Sequence, residues 1–233
     1  MKCIEPMRMS KCLQRVKNQF MKKIGIIGSG TVALTLAKGF VKYSYDVMVG
    51  SNTSAKHAEL LQKVPGVKTG TFSEAAAFGD MLVFAVKGSK ALEALKQIDL
   101  SLINGKTIID ATNPIADAPP VNGVIQYTTS LSHSLLEQLQ AAAPEVNFVK
   151  AFSCIGNAYM VDPAFDKKPA MFYCGNNDEA RLQVEQVLQQ FGHDPVDMGK
   201  AEAARAIEPL AMLWCIPGFL RNDWTHAFAY LRQ

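Results

Sequence analysis

The sequence predicts an α/β fold, a doubly wound and mostly parallel sheet extended by a small C-terminal α/β portion. Three observations carry that expectation. Short apolar runs alternate with longer helical stretches along most of the 233 residues. The first such run leads straight into a G-x-G-x-x-A turn that opens a helix, the mark of a Rossmann-type unit. Apolar strand-like runs also recur beyond residue 150, where an all-helical second half would show none.

The elements follow in order. Residues 24–28 form a first strand, with a helix over about 31–43; residues 46–50 form a second, with a helix near 55–63. A short strand around 67–71 precedes a helix that starts at Ser73-Glu74-Ala75-Ala76. Residues 81–86 are six consecutive apolar residues, as a strand buried on both faces requires. Strands at 107–111 and 146–152 flank a helix over about 131–143. Then come a strand at 170–174, an amphipathic helix at 178–191, a short strand at 194–198 and a helical, unusually apolar tail from Ala201. No Gly/Ser linker, repeat or low-complexity block interrupts this order. The expected division is an extension over 1–20, a dinucleotide-binding domain over 21–150 and a small C-terminal portion over 151–233.

Composition excludes several classes. Hydrophobic residues make up 48% and charged residues 19%, enough for a core and too apolar for a disordered chain. The richest apolar stretch, residues 210–220, contains Pro217 and Gly218, and these are expected to break it short of a membrane span. The formal charge is +3, but residues 1–20 alone hold +4, leaving the other 213 residues at −1. That body offers no footprint for nucleic acid. The basic leader lacks the apolar stretch of a secretory signal, and Met21 is an alternative start to the folded region. Cys3, Cys12, Cys154, Cys174 and Cys215 are odd in number and scattered, as are four histidines. A reduced, cytoplasmic, metal-free protein without membrane contact is expected.

The turn Gly28-Ser29-Gly30-Thr31-Val32-Ala33 places a first glycine for the tight bend and a second where backbone approaches a pyrophosphate. The helix beginning there aims its free N–H groups and positive dipole end at the phosphates. An NAD-binding site would carry an Asp or Glu about 20 residues on. Here the second strand ends in Gly50-Ser51-Asn52-Thr53-Ser54-Ala55-Lys56, with hydroxyl and amide donors and a lysine but no carboxylate. Donors and a cation without a repelling charge suit a 2′-phosphate, so NADP is favoured over NAD.

Several spaced segments together resemble the coenzyme F420-dependent NADP oxidoreductase family and the related cytosolic reductase domain of the STEAP metalloreductases. They are Ile26-Ile27-Gly28-Ser29-Gly30, Val49-Gly50-Ser51, Asp110-Ala111-Thr112-Asn113-Pro114, Val149-Lys150-Ala151-Phe152, Tyr173-Cys174-Gly175 and Pro195-Val196-Asp197-Met198-Gly199. The resemblance implies that Ser29, Gly30, Thr31 and Val32 hold the pyrophosphate. It implies that Ser51, Asn52, Thr53 and Lys56 hold the 2′-phosphate, and that Val86 and Lys90 line the adenine and ribose side. Asn113, Pro114 and Asn157 would border the nicotinamide. One departure stands out: the family commonly carries an arginine after the serine, where this chain has Asn52.

A nicotinamide facing a flavin-like or deazaflavin (F420) acceptor passes hydride directly, and no protein acid or base stands out for the task. His133 and His193 read as capping or surface residues, Cys154 as a packed small hydrophobe, and Asp110 as a cap on its own loop. Glu202, Arg205 and Glu208 fall at helical spacing and read as an ion-paired face. Trp214, Phe219, Trp224, Phe228 and Tyr230 are candidates for an acceptor pocket, for core, or for a homodimer contact. Two other functions stay open. One is a non-catalytic NADP(H) sensor or regulatory module. The other is a β-hydroxyacid or pyrroline-carboxylate type dehydrogenase, which needs an all-helical second domain.

Overall fold

A computed structural model describes residues 23–53 and 55–233, and the basic leader and Met21 lie outside them. Eight strands form one sheet in the order β3-β2-β1-β4-β5-β6-β7-β8. They are β1 (Lys23–Ile27), β2 (Asp46–Gly50), β3 (Lys68–Gly70), β4 (Met81–Phe84), β5 (Thr107–Asp110), β6 (Asn147–Lys150), β7 (Ala170–Gly175) and β8 (Asp194–Asp197). The first six run parallel. β7 pairs antiparallel to β6, and β8 runs parallel to β7. Strands this apolar are buried on both faces, and Met81, Leu82, Val83 and Phe84 are all at or below 2% exposure. An all-helical second half is thereby replaced by strands β7 and β8 in the same sheet.

Helices cover both faces: α1 (Thr31–Lys42), α2 (Ala55–Lys63), α3 (Phe72–Phe78), α4 (Ala91–Leu95), α5 (Leu135–Ala142), α6 (Asp178–Gln190), α7 (Ala204–Ile207) and α8 (Pro209–Arg221). One core joins Ile26, Leu36, Phe40, Val49, Phe152, Val184 and Phe191. The other joins Ile27, Phe72, Leu82, Phe84, Leu136, Phe148 and Ile207. The chain leaves β1 for β2 in one direction and later leaves β4 for β5 in the other. The crevice beyond the carboxyl ends of β1 and β4 is therefore a topological switch point, where such sheets bind ligands.

Three expectations need correction. The helix placed at about residue 131 starts at Leu135. Ser134 and Glu137 make a reciprocal capping box there, and Leu131 lies 75% exposed in the preceding turn. Pro217 and Gly218 do not break the tail helix, since α8 runs through both to Arg221. The stretch Ala201–Arg221 is thus long and apolar enough to cross a membrane by length and composition. In this fold it packs on the sheet through a buried glutamate. His193 is neither cap nor surface: it is 1% exposed, and its Nε2–H donates to the Met160 carbonyl. Burial keeps its pKa below the ordinary histidine value.

Candidate functional site

The glycine turn sits at the amino end of α1. Gly28 has φ +123°, a left-handed conformation that other residues resist, and a Cβ there would lie 2.4 Å from the Ala85 carbonyl oxygen. Gly30 is the N-cap residue of α1, with no side chain capping the free N–H groups and no acidic residue in the first turn. A Cβ on Gly30 would meet nothing within 4 Å, so the helix end opens onto free space. Thr31 is exposed at the helix start and Val32 is half-buried.

A hydroxyl pair ties this turn to the tip of β2. Ser29 Oγ and Ser51 Oγ are 3.2 Å apart, and Ser51 Oγ also accepts from the Thr53 N–H at 3.3 Å. Ser51 is buried, whereas Asn52, Thr53 and Lys56 are exposed. Ser51 and Asn52 open a groove of about 470 Å³, with His57, Thr71, Phe72, Ser73 and Gln97 on its other walls. His57, one of the four scattered histidines, stands one residue after Lys56 on α2. Val86 follows β4 half-buried, and Lys90 is exposed with its Nζ 2.9 Å from Glu93. Neither lines that groove.

A second cleft of about 470 Å³ lies at the carboxyl ends of β5 and β6, reaching from Val32 of α1 to Trp214 and Trp224. Asn113, Ser153, Asn157, Tyr159 and Cys215 supply polar side chains, and among the described residues no Asp, Glu, Lys, Arg or His lines it. The Asn113 side-chain amide donates to the Ser153 carbonyl at 3.3 Å, leaving Asn113 Oδ1 and Ser153 Oγ buried without a partner. Ser153 was not foreseen. Pro114 is buried beside Asn113, while Asn157 is exposed at the mouth. Cys154 lies behind this wall, 1% exposed, and burial pushes its thiol pKa up to about 11. It is a packed residue, as expected.

Behind the cleft lies a buried ionic cluster. Lys150, at the end of β6, has no exposed surface; its Nζ is 2.6 Å from Asp110 Oδ2 and 3.0 Å from Glu208 Oε1. Burial opposes its charge, but the two carboxylates outweigh that and hold its pKa above the ordinary lysine value. Nζ also donates to the Thr112 carbonyl, while Asp110 Oδ1 accepts from the Thr112 N–H and hydroxyl. The strand-to-loop step leading to Asn113 is thereby pinned from both sides, a larger role than the local cap expected of Asp110. Glu208 accepts at 3.0 Å from the N–H groups of Leu135 and Leu136 at the amino end of α5. Those dipoles offset part of its charge. The ion-paired helix face expected for Glu202, Arg205 and Glu208 is therefore not formed: Arg205 instead clasps Glu137 of α5, with its closest contact at 2.5 Å.

The roof is aromatic. Trp214 stacks on His226 with centroids 5.0 Å apart, its Nε1–H donates to the His226 carbonyl, and the His226 Nε2–H donates back to the Trp214 carbonyl. A Cβ on Gly156 would lie 2.4 Å from the Trp214 ring, so only glycine admits the indole there. Trp224 rests on Trp214 and Phe219. Phe228 packs on the first core while its carbonyl accepts from the Ala170 N–H, and Tyr230 meets Phe172 edge-on. Of the five tail aromatics, Trp214 and Trp224 line the cleft.

A dinucleotide fits this arrangement. The open space over Gly30 has room for a pyrophosphate at uncapped N–H groups, the groove lined without a carboxylate would suit a phosphorylated ribose, and the cleft has room for a redox ring.

Residues 23–114 match the sequence model of the family described as NADP oxidoreductase, coenzyme F420-dependent, which bears out the resemblance read from the motifs. The chain is 29% identical over 202 residues to metalloreductase STEAP3 of Rattus norvegicus, covering 85% of this chain and 39% of the relative. It thus spans about two fifths of the length of that relative. It is 29% identical over 213 residues to an NADPH-dependent reductive aminase of Aspergillus oryzae, covering 91% of this chain and 64% of that one. A crystal structure of a proposed F420-dependent NADP reductase from Arthrobacter sp. FB24 superposes with TM-score 0.84 at 26% identity, covering 91% of this chain and all of the other. These likenesses assign the fold to this chain, and the proteins that share it include NADP-dependent oxidoreductases.

Proposed function

We propose that this chain, whose residues 23–114 carry the signature of the F420-dependent NADP oxidoreductases, moves hydride between NADP(H) and a flavin-like or deazaflavin acceptor. The observation that carries the reading is the cleft between Val32 and Trp224, which is lined without a carboxylate, lysine, arginine or histidine. Reduction of a carbonyl or imine develops charge on a small heteroatom and calls for a placed proton donor, for which the described lining offers only the weak acids Tyr159 and Cys215. A fused heteroaromatic acceptor spreads that charge over its own ring, and it needs a flat apolar slot and close approach instead.

The bound nicotinamide supplies the hydride. The chain's part is to hold, orient and exclude water. Gly28, Ser29, Gly30, Thr31 and Val32 hold the pyrophosphate; Ser51, Asn52, Thr53 and Lys56 hold the 2′-phosphate; Val86 and Lys90 border the adenosine. Asn113 and Pro114, fixed through Asp110 and Lys150, and Asn157 at the mouth border the ring that reacts. Trp214 and Trp224 cover the slot and keep bulk water from the reacting carbons. A homodimer through the exposed Leu213, Phe219 and Leu220 of α8 accompanies this reading, in a reduced cytoplasmic compartment.

The test is NADPH oxidation with FMN, riboflavin and F420, set against a ketone with a primary amine. Turnover confined to the fused-ring acceptors supports the proposal. Turnover confined to the ketone and amine transfers the assignment to an imine reductase. Tight NADPH binding without turnover on any acceptor supports the regulatory module instead.

A further inference from the structure

Asn113 follows β5, Ser153 follows β6, and both line the cleft beneath Trp214. The Asn113 Nδ2–H donates to the Ser153 carbonyl at 3.3 Å, which ties the two loops together and makes Oδ1 the free end of the amide. Asn113 Oδ1 is buried with no hydrogen-bond partner, and so is Ser153 Oγ, on a residue only 2% exposed. The neighbours Phe152 and Cys154 pack into the first core, to which Ser153 does not belong. Buried polar atoms are almost always paired, so an idle hydroxyl and an idle amide oxygen on one cavity wall point to a partner that enters the cavity. The amide oxygen only accepts, and the hydroxyl is free to donate. Together they match a group that carries an N–H and a C=O on one carbon, which is a carboxamide. The cleft also reaches Val32, on the first turn of α1 beside the open helix end at Gly30.

We infer that Ser153 and Asn113 read the carboxamide of the nicotinamide: Asn113 Oδ1 accepts from its N–H, and the Ser153 hydroxyl donates to its C=O. The inference rests on the NADP(H) reading given above and assigns two of the cleft's polar groups to the coenzyme rather than to the acceptor. A site built to hydrogen-bond an N–H or a C=O discriminates against analogues that lack it, because its own buried groups are then left unpaired. Ser153 and Asn113 therefore determine which ring substituent the coenzyme must carry.

The experiment is calorimetric titration of oxidised NADP, its acetylpyridine analogue and its thionicotinamide analogue into the wild-type chain, Asn113→Ala and Ser153→Ala. The acetyl group keeps the C=O and lacks the N–H. The thioamide keeps the N–H and replaces the C=O with a weak acceptor. Each protein is read as a ratio of affinities between coenzymes, so a general change in affinity cancels. The preference for NADP over the acetyl analogue is expected to fall about tenfold in Asn113→Ala, the worth of one hydrogen bond, and to persist in Ser153→Ala. The preference over the thio analogue is expected to fall by a similar factor in Ser153→Ala and to persist in Asn113→Ala. A melt separates this role from a structural one. Since Ser153 Oγ has no partner in the free chain, Ser153→Ala should melt no lower than wild type without coenzyme, yet gain less from saturating NADP. Should Asn113→Ala fail to fold, Ser153→Ala decides alone. Variants that discriminate among the three coenzymes as wild type does overturn the inference while leaving NADP(H) binding intact. Unchanged ratios with a raised KM for FMN transfer the pair to the acceptor and overturn it equally, as does a lower melt of Ser153→Ala without coenzyme. Failure of the wild-type chain to bind NADP overturns the coenzyme reading, and this inference with it.

Discussion

The two ends of the crevice are built by different means. At the glycine turn, a handful of neighbouring residues do the work: Gly28 takes its left-handed conformation, Gly30 leaves the helix end uncapped, and Ser29 meets Ser51 across two loops. At the roofed end nothing is local. Lys150 of β6 meets Glu208 before α8, Glu208 reaches back to Leu135 and Leu136, and the Tyr127 hydroxyl donates to the Glu208 carbonyl at 2.6 Å. The turn offers uncapped backbone N–H groups that the sheet presents ready-made. The roof positions its wall with buried charge, a device that costs much to break. On the proposed function, this difference means that coenzyme binding and acceptor selection should respond to different substitutions.

The largest expected effect breaks the roofed end. Lys150→Ala leaves Asp110 and Glu208 facing each other in the core, and a loss of about 3–5 kcal/mol in chemical denaturation is expected. The triple change Lys150→Met, Asp110→Asn, Glu208→Gln should recover much of that stability yet impair turnover, because Thr112 and Asn113 lose their anchors. Equal stability of wild type and Lys150→Ala would show that the cluster is not what holds the two halves together.

Next in size is the turn. Gly28→Ala forces a Cβ onto the Ala85 backbone at positive φ, with an expected cost of about 2 kcal/mol or more and loss of measurable nucleotide binding. A variant that still binds NADPH normally by fluorescence titration would mean that the coenzyme does not lie on this turn.

An acid profile sharpens the contrast. Hydrogen bonding from Arg205 holds the Glu137 pKa down to about 2, against an ordinary 4.5. Between those values the unfolded chain takes up a proton that the folded chain refuses, so stability present above about 4.5 is lost as pH falls toward 2. Thermal melts of Arg205→Ala should show a shallower decline across that window, and nucleotide affinity at pH 7 should not move.

How much of this was legible in sequence follows from the same contrast. The glycine turn and the tip of β2 were readable because their chemistry is written in adjacent residues, and strand β4 because six apolar residues in a row admit one reading. Glu208 was not. Helical spacing placed it with Glu202 and Arg205 on an ion-paired helix face, and only the return of the chain against β6 buries it. Pro217 misled for a related reason: it is half-buried in a helix already anchored by tertiary packing, where the lost hydrogen bond does not end it. Ser153 and His57 carry no motif of their own and become visible only when two loops converge.

Smaller effects concern selection. Trp224→Ala opens the roof and should raise the acceptor KM by up to about tenfold, as loss of an aromatic contact does, while the NADPH Kd stays fixed. A change in the NADPH Kd instead would place Trp224 on the coenzyme rather than the acceptor. Lys56→Ala, at an exposed position, should lower the NADPH-over-NADH preference by only a few-fold.

The central claim is that a phosphorylated dinucleotide lies across the amino end of α1, and calorimetric titration of NADPH into the wild-type chain and into Gly28→Ala tests it most directly. One site per chain in the wild type, tighter for NADPH than for NADH and abolished in the variant, is the predicted result. No heat with either nucleotide, or equal binding by the two proteins, would contradict it.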